Sequence, residues 1–247
     1  MLKTTKIYYQ DSFLNHCEAI VTAIQENRVI LDRTISFPEG GGQIGDRGYL
    51  YVNDLEIPFF DTQKGVGRIL SLPEFPSVQV DTPIYHFIDE KDLSKIVIGD
   101  RVKVVIDVQR RIWTTVLHSA LHLVLMVAKE RRPDITSTIK GCKITTESAR
   151  IDFFAKVKFL PEDVEWISKR AQELIDLEIP IRVYPHLEEK EAWYWSCKDF
   201  ICPCGGTHLT NTGQIGKIFV KRKNVGKTTE RLIVTADDIK LFEKDYH

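Results

Sequence analysis

Short apolar runs separated by turn residues make up roughly the first hundred residues of the chain. The runs are rich in β-branched and aromatic residues, and they read EAIVTAI, RVILD, GYLYV, EIPFFD, IYHFI and RVKVVID. The segments between them include QEN, PEGGG, VND and IGD, which are typical of turns. Several short strands at this spacing predict a small β-barrel or a β-sandwich.

The pattern changes to helical spacing at Gln109. The segment QRRIWTTVLHSALHLVLMVAKE is apolar on nearly every side, which predicts a buried helix that ends before Pro133. After it, KITTESARIDFFAKV predicts a strand pair and LPEDVEWISKRAQELIDLEIP an amphipathic helix, while IRVYPH, IGKIFVKRK and ERLIVTAD predict strands. We expect a β-rich, barrel-like domain at residues 1–100 and an α+β domain at residues 101–247.

Composition indicates an ordinary globular protein. Of the 247 residues, 43% are hydrophobic and 28% charged, and the net charge is −1, which argues against binding polyanions by bulk charge. The longest apolar runs are shorter than a membrane span, so we expect a soluble cytoplasmic protein with no membrane partner. Five cysteines are an odd number in a chain of this length, which favours metal or redox chemistry over a disulfide framework.

Four residues form a candidate metal site. His118 and His122 are one helical turn apart, so both imidazoles can reach one ion, and Cys204 and His208 flank a Gly-Gly turn in CPCGGTHLTNTG. Three histidines and one cysteine suit tetrahedral zinc, and we predict one Zn²⁺ per chain. A lone histidine on an apolar helix is more often a core residue, but two at this spacing favour a cation that satisfies them.

Two neighbouring cysteines require a choice. We prefer Cys204 as the ligand, because Pro203 stiffens the segment and the Gly-Gly turn, which we expect to be tight, begins at Cys204. Cys202 is then an outer partner of a ligand or a spare thiol, and Cys197 is structural. Because Ser119 stands where a zinc protease has its catalytic glutamate, the helix does not encode that activity.

The motifs resemble a known family of editing enzymes. DVQRRIWTTVLHSALHLV, ARIDF and CPCGGTHLTNTGQIGKI are similar to the editing domain of alanyl-tRNA synthetase and to its free-standing relatives, the AlaX proteins. The threonyl-tRNA synthetase editing domain shares the H-x-x-x-H and C-x-x-x-H patterns. FPEGGGQIGDRG resembles the glycine-rich motif of the longer AlaX forms. The resemblance spans roughly residues 37–234 and implies the threonyl/alanyl editing fold for the second domain.

The resemblance also implies an activity. That family hydrolyses the ester that joins serine or glycine to mischarged tRNA(Ala), and a chain of 247 residues has no room for an aminoacylation domain. We therefore expect a stand-alone, ATP-independent aminoacyl-tRNA deacylase that acts in trans with zinc. Zinc could anchor the substrate or polarise water, and no catalytic residue is assigned beyond the zinc site.

Substrate-binding positions follow from the same resemblance. They are Gly41, Gly42 and Gln43 in the glycine-rich motif, Thr138, Ile139 and Gly141 after the long helix, and Gly205, Gly206 and Thr207 in the Cys/His turn. Ile139 stands where the family usually has a polar residue that helps to recognise the substrate side chain, which makes glycine a more plausible target unless Thr138 or Ser137 substitutes. The tripeptide Gly-Gly-Gln also occurs in class I release factors, although nothing else here resembles them.

Basic residues near the C-terminal end are candidate tRNA contacts. The segment GKIFVKRKNVGKTTER holds the five that we assign to phosphates, namely Lys221, Arg222, Lys223, Lys227 and Arg231. A solvated hairpin would account for some of them equally well.

Two other functions remain open. One is a non-catalytic tRNA-binding module with a structural zinc, and the other is a zinc hydrolase that acts on a different small ester or amide. The aromatic run of Trp193, Tyr194 and Trp195 either packs in the core, which we favour, or stacks on the terminal adenine.

Overall fold

A computed structural model describes residues 2–247 of the chain. Its first part contains ten strands: β1 (Thr5–Lys6), β2 (His16–Gln25), β3 (Arg28–Leu31), β4 (Arg33–Thr34), β5 (Gly48–Val52), β6 (Leu55–Lys64), β7 (Arg68–Leu70), β8 (Val78–Val80), β9 (Ile84–Ile88) and β10 (Arg101–Ile106). Short 3-10 turns lie at Ile7–Tyr9 and Glu90–Lys95.

Six of these strands form a closed antiparallel barrel in the order β10-β2-β3-β9-β6-β5. Alternate residues of β5 and β9 are buried, as a barrel interior requires, and Leu50, Ile57 and Phe59 are among the side chains that fill it. The prediction of a small barrel is confirmed. Because β10 closes the barrel by pairing with both β2 and β5, the predicted domain division after residue 100 falls just before the last barrel strand.

The second part combines three helices with two sheets. The elements are α1 (Val108–Arg131), α2 (Pro133–Thr136), β11 (Ile139–Ile144), β12 (Ala149–Phe154), α3 (Pro161–Asp176), β13 (Ile181–Pro185), β14 (Trp193–Cys197), β15 (Phe200–Pro203), β16 (Lys217–Asn224) and β17 (Thr229–Asp237), with 3-10 turns at Thr212–Ile215 and Glu243–Asp245. One sheet has the order β11-β12-β17-β16 and the other β13-β14-β15. The predicted α+β architecture is confirmed.

Helix α1 is the central element of the second part. Asp107 caps its first turn by accepting a hydrogen bond from the Arg110 amide, and the helix ends before Pro133 as predicted. It packs against α3, β12 and β17. Among residues 2–247, α1 is the one helix long and apolar enough to span a membrane, but 78% of its most apolar window is buried inside the protein. We therefore interpret it as a core helix.

A buried ion pair joins the glycine-rich loop to α1. Arg111 on α1 is fully buried and pairs with the carboxylate of Asp46. Two further guanidinium N–H groups donate to the carbonyls of Ser12 and Ile35, at 2.9 and 2.8 Å, and Asp46 also accepts the Phe37 amide at 2.7 Å. A buried charge is tolerated only when it is paired and hydrogen-bonded in this way. The pair therefore fixes the position of the loop relative to the helix.

Candidate metal centre

The four predicted ligands converge on one point. The ligand atoms of His118, His122, Cys204 and His208 all lie within 4.8 Å of one another. The Cys204 sulfur is 3.1 Å from His208 Nε2 and 3.4 Å from His118 Nε2. Tetrahedral zinc with these ligand types would separate sulfur and nitrogen by about 3.4–3.7 Å. The four side chains could therefore hold one metal ion, and their chemistry is compatible with zinc.

Local structure explains this convergence. One turn of α1 separates His118 from His122, and their rings are stacked with centroids 4.9 Å apart. Cys204 follows β15, and its amide donates to the Trp193 carbonyl at 2.8 Å, which ties the Cys/His turn to the neighbouring strand. Two ligands thus come from the helix and two from the turn.

The outward-facing nitrogen of each histidine has its own partner. His118 Nδ1 is 2.8 Å from Gln43 Oε1, and His208 Nδ1 is 3.4 Å from the hydroxyl of Ser119. Because an amide oxygen can only accept, His118 carries its hydrogen on Nδ1 and has its Nε2 lone pair free for a metal. Such outer partners orient metal ligands and raise their basicity.

The surroundings of His122 provide the most direct test of whether a cation fits the cluster. Its Nδ1 lies 3.3 Å from the Cys202 sulfur, whereas its Nε2 is buried and has no hydrogen-bond partner within residues 2–247. A buried nitrogen without a partner is costly. A metal ion at the centre of the cluster would supply that partner, so the observed residues fit a zinc ion.

Burial sets the protonation states of the metal-free site. It lowers the pKa of His122 to about 4, and it lowers the pKa values of His118 and His208 well below the usual range, with their neighbouring imidazoles adding to the effect. All three imidazoles are therefore neutral at pH 7 and able to bind a metal. Burial also raises the pKa of the Cys204 thiol, so a thiolate there requires a nearby cation.

The two other cysteines of this region differ in position. Cys202 lies against His122, and burial raises the pKa of its thiol to about 12. Cys197 is buried in the core of the second part.

Gln43 connects the glycine-rich loop to the ligands. It is fully buried, its Nε2 donates to Thr207 Oγ1 at 3.0 Å, and its Oε1 accepts the Thr207 amide as well as His118 Nδ1. Thr207 Oγ1 in turn lies 2.8 Å from the hydroxyl of Thr115 on α1. Both ends of the Gln43 amide are thus occupied by the protein itself. No sequence pattern signals the contact between Gln43 and His118, because 75 residues separate the two.

The glycines of the loop have a clear steric reason. Gly41 and Gly42 have φ values of +59° and +87°, which favour glycine, and a Cβ on Gly42 would lie 2.6 Å from the Cys142 sulfur on β11. The Ile144 amide donates to the Gly42 carbonyl at 2.7 Å. The loop therefore lies flat against the edge of β11.

The glycines of the Cys/His turn are expected from the sequence to make the turn tight, but the structure shows a different reason for one of them. Neither Gly205 nor Gly206 has a positive φ, so backbone freedom is not what the turn requires. Instead, a Cβ on Gly206 would lie 2.3 Å from His118 Cε1 and 2.4 Å from its Nδ1. Gly206 is needed because the imidazole of His118 occupies the space of a side chain.

The predicted positions after α1 lie at the start of β11. Ile139 is 46% exposed and pairs with Phe153, and a bulge separates it from Gly141. The Thr138 carbonyl accepts the Phe154 amide at 2.9 Å.

The five candidate phosphate contacts fall into two groups. Lys221, Lys223 and Lys227 are exposed on the β16–β17 hairpin. Arg222 forms two hydrogen bonds to Glu230, and Arg231 forms two to Asp152; Glu230 and Asp152 are both largely buried. Both guanidinium groups are therefore already paired with carboxylates of the protein itself.

The aromatic run also divides. Trp195 is fully buried and stacks on His122 with centroids 4.9 Å apart, which agrees with the favoured packing interpretation. Trp193 is half-buried and stacks on Tyr9, and the Tyr194 hydroxyl donates to Glu74 at 2.7 Å.

Two known families match parts of the chain. Residues 181–233 match the threonyl and alanyl tRNA synthetase second additional domain, and residues 3–92 match the class II (A) tRNA synthetases. Together with the fold and the His/Cys cluster, these matches place the chain among proteins that contain the editing domain of these synthetases.

Similar proteins narrow the family. The chain is 29% identical over 231 residues to the alanyl-tRNA editing protein AlaX-M of Pyrococcus horikoshii, an alignment that covers 93% of this chain and 96% of that protein. It is 30% identical to the alanine–tRNA ligase of Metallosphaera sedula and 31% to that of Ignicoccus hospitalis, but it spans only about a quarter of either ligase, 25% and 24%. The chain belongs to the AlaX family.

Proposed function

We propose that the protein is a trans-editing hydrolase that deacylates tRNA(Ala) mischarged with serine or glycine and uses one zinc ion per chain. The observation that carries the proposal is the convergent His/Cys cluster within a chain that aligns with an alanyl-tRNA editing protein over 96% of that protein's length. Similarity to the alanine–tRNA ligases supports tRNA(Ala) as the RNA partner.

Hydrolysis of an aminoacyl ester mainly requires the protein to position the reactants. An aminoacyl ester is already activated, so orienting the ester and a water molecule provides much of the acceleration. When bound, zinc would supply a Lewis acid and a fixed positive charge. Gln43 and Ser119 hold His118 and His208 in the orientation that presents Nε2 to the ion.

A specific observation favours the second candidate, a tRNA-binding module with structural zinc. Three histidines and one cysteine fill all four positions of tetrahedral zinc, whereas catalytic sites usually keep one position open for water. Hydrolysis at the ion would therefore require a fifth ligand or release of one of the four.

The decisive experiment measures the release of amino acid from Ser-, Gly- and Ala-charged tRNA(Ala) by the zinc-loaded protein. We expect rapid release of serine or glycine, with Ala-tRNA(Ala) spared, and loss of the activity in His118→Ala. Lys156→Ala, at an exposed position with no assigned role, serves as a variant that leaves the ligands intact. Absence of release from all three substrates by zinc-loaded protein would reject the hydrolase and favour the binding module.

The same assay addresses substrate choice. We propose that Ile139 favours glycine over serine, because an isoleucine cannot hydrogen-bond the serine hydroxyl. Ile139→Thr should raise the ratio of serine to glycine release. An unchanged ratio would exclude this position from side-chain recognition.

A further inference from the structure

A groove of about 950 Å³ borders the metal site. His208 and Gly206 line it on one side, β13 forms a second wall, and residues 8–13 form a third. The Ile181 amide donates to the Thr210 carbonyl at 2.8 Å, which ties two of these walls together. The volume lies near the upper end of the range for ligand pockets, about 300–1,000 Å³. The groove is therefore large enough for a nucleotide with its attached amino acid.

Aromatic side chains line the groove. Tyr9 and Trp193 stack with centroids 5.3 Å apart and an interplanar angle of 16°. Tyr184 lies on β13, the second wall of the groove. Tyr8, which also lines the groove, is 4% exposed, and its hydroxyl has no hydrogen-bond partner in the part of the chain that the structure describes. Aromatic platforms of this kind bind single-stranded nucleic acid by stacking on its bases.

The groove also carries free positive charge. Arg182 and Lys198 line it, both are exposed, and neither side chain forms a hydrogen bond or ion pair with another described residue. Asp11 is the one carboxylate among the described lining residues, and it already accepts the Phe13 amide at 2.8 Å and lies 3.1 Å from His247 Nε2. The charges that remain available favour an anion such as a phosphodiester.

We propose that this groove binds the single-stranded 3′ end of the aminoacylated RNA, with Arg182 and Lys198 at its phosphates and the Tyr9–Trp193 pair beside a base. The proposal rests on the proposed function, because it assigns the path by which the ester reaches the metal site. It makes Arg182, Lys198 and Trp193 positioning residues rather than catalytic ones.

The hairpin cations are less suited to this task. Arg222 and Arg231 are held by Glu230 and Asp152, and neither these arginines nor the hairpin lysines line the groove. The hairpin is therefore the competing site for the RNA end, and a variant that lacks two of its lysines tests that alternative directly.

The first test measures binding of a 5′-fluorescein RNA oligonucleotide that ends in CCA and carries no amino acid. The groove variant combines Arg182→Ala with Lys198→Asn, because Lys198 has a φ of +52° that asparagine tolerates. We expect its affinity for the oligonucleotide to fall about 10-fold or more. The negative slope of log K against log salt should become shallower by about 1.4, for two lost phosphate contacts. The hairpin variant, Lys221→Ala with Lys223→Ala, tests the competing site and should bind the oligonucleotide like wild type. The control variant, Lys156→Ala with Lys158→Ala, removes two exposed charges outside both the groove and the hairpin and should also bind like wild type.

A second test separates stacking from folding. Trp193→Ala should weaken oligonucleotide binding by about 5- to 150-fold, and Trp193→Phe should restore most of it. Thermal unfolding of both variants identifies any loss of the fold. Equal affinity of wild type and the groove variant, or a larger loss in the hairpin variant, would overturn the proposal.

Deacylation kinetics distinguish this proposal from the proposed function. With Ser-tRNA(Ala), the groove variant should show a raised KM and a nearly unchanged kcat. Specific oligonucleotide binding without any deacylation would reject the hydrolase and keep the groove assignment. Normal deacylation with an unchanged KM in the groove variant would reject the groove assignment and keep the hydrolase.

Discussion

Adding one methyl group at Gly206 should selectively weaken zinc binding. In Gly206→Ala the new Cβ would lie 2.3 Å from His118 Cε1, whereas an ordinary contact begins near 3.4 Å. The imidazole or the turn must therefore move by about 1 Å. Gly205→Ala is the matched control, because its Cβ comes no closer than 3.2 Å to any neighbour, the Tyr9 hydroxyl.

The magnitude follows from the geometry. Metal–ligand distances tolerate deviations of about 0.2 Å, so a 1 Å displacement of His118 cannot be absorbed within the coordination sphere. Overpacking a tight site costs about 1–3 kcal/mol, which corresponds to about a 5- to 150-fold weaker Kd for zinc. Since neither glycine has a positive φ, backbone strain contributes to neither variant.

Competition with a chromogenic zinc chelator measures the three affinities directly. We expect wild type and Gly205→Ala to agree within about threefold, and Gly206→Ala to fall within the calculated range. Circular dichroism of the metal-free proteins checks that both variants fold. If Gly206→Ala bound zinc as tightly as Gly205→Ala, His118 would not be a ligand in the orientation described.

Other predictions test the outer partners, the barrel and the buried ion pair. Gln43→Ala removes the partner of His118 and should weaken zinc binding by about 10- to 100-fold in the same chelator assay, while Gln63→Ala, which loses an exposed hydrogen bond to Glu39, should have no effect. Burial lowers the pKa of His86 to about 4 in the folded protein, so on acidification the unfolded chain takes up this proton at a higher pH than the folded protein does. Stability therefore falls as the pH drops below about 6.5. His86 contributes about 2 kcal/mol to the loss at pH 5, so His86→Gln should lose about that much less stability than wild type between pH 7 and 5 in urea denaturation of the metal-free proteins, because the buried ligand histidines contribute equally to both. Asp46→Ala strands the buried Arg111 guanidinium and should cost about 3–5 kcal/mol in urea denaturation, whereas Asp134→Ala, at an exposed pair, should cost less than about 1 kcal/mol; equal costs would contradict the buried-pair argument.

Features with a local spacing rule could be predicted from the sequence. His118 and His122 are separated by one helical turn, and Cys204 and His208 by one tight turn, so each pair carries its own geometric signal. The barrel strands are short β-branched or aromatic runs bounded by turn residues, and the buried helix is apolar on nearly every side. In each case a short segment contains all the information required.

Features that depend on docking could not be predicted. The contact between Gln43 and His118 exists because the Asp46–Arg111 pair fixes the loop on α1, and no periodicity links residues 75 positions apart. The groove likewise arises only where residues 8–13 meet β13. Likewise, no sequence pattern indicates that Cys142 lies against Gly42 of the loop.

The spread of the metal site along the chain has a consequence for biosynthesis. His118 and Cys204 are 86 residues apart, so a bound ion closes a long loop. For a covalent cross-link of that length, the chain-entropy estimate is about 4–5 kcal/mol of stabilisation. Because synthesis proceeds from the N-terminus, the barrel and α1 leave the ribosome well before the Cys/His turn. The nascent chain can therefore complete the ligand set that we propose for zinc only after residue 208 has emerged from the ribosome.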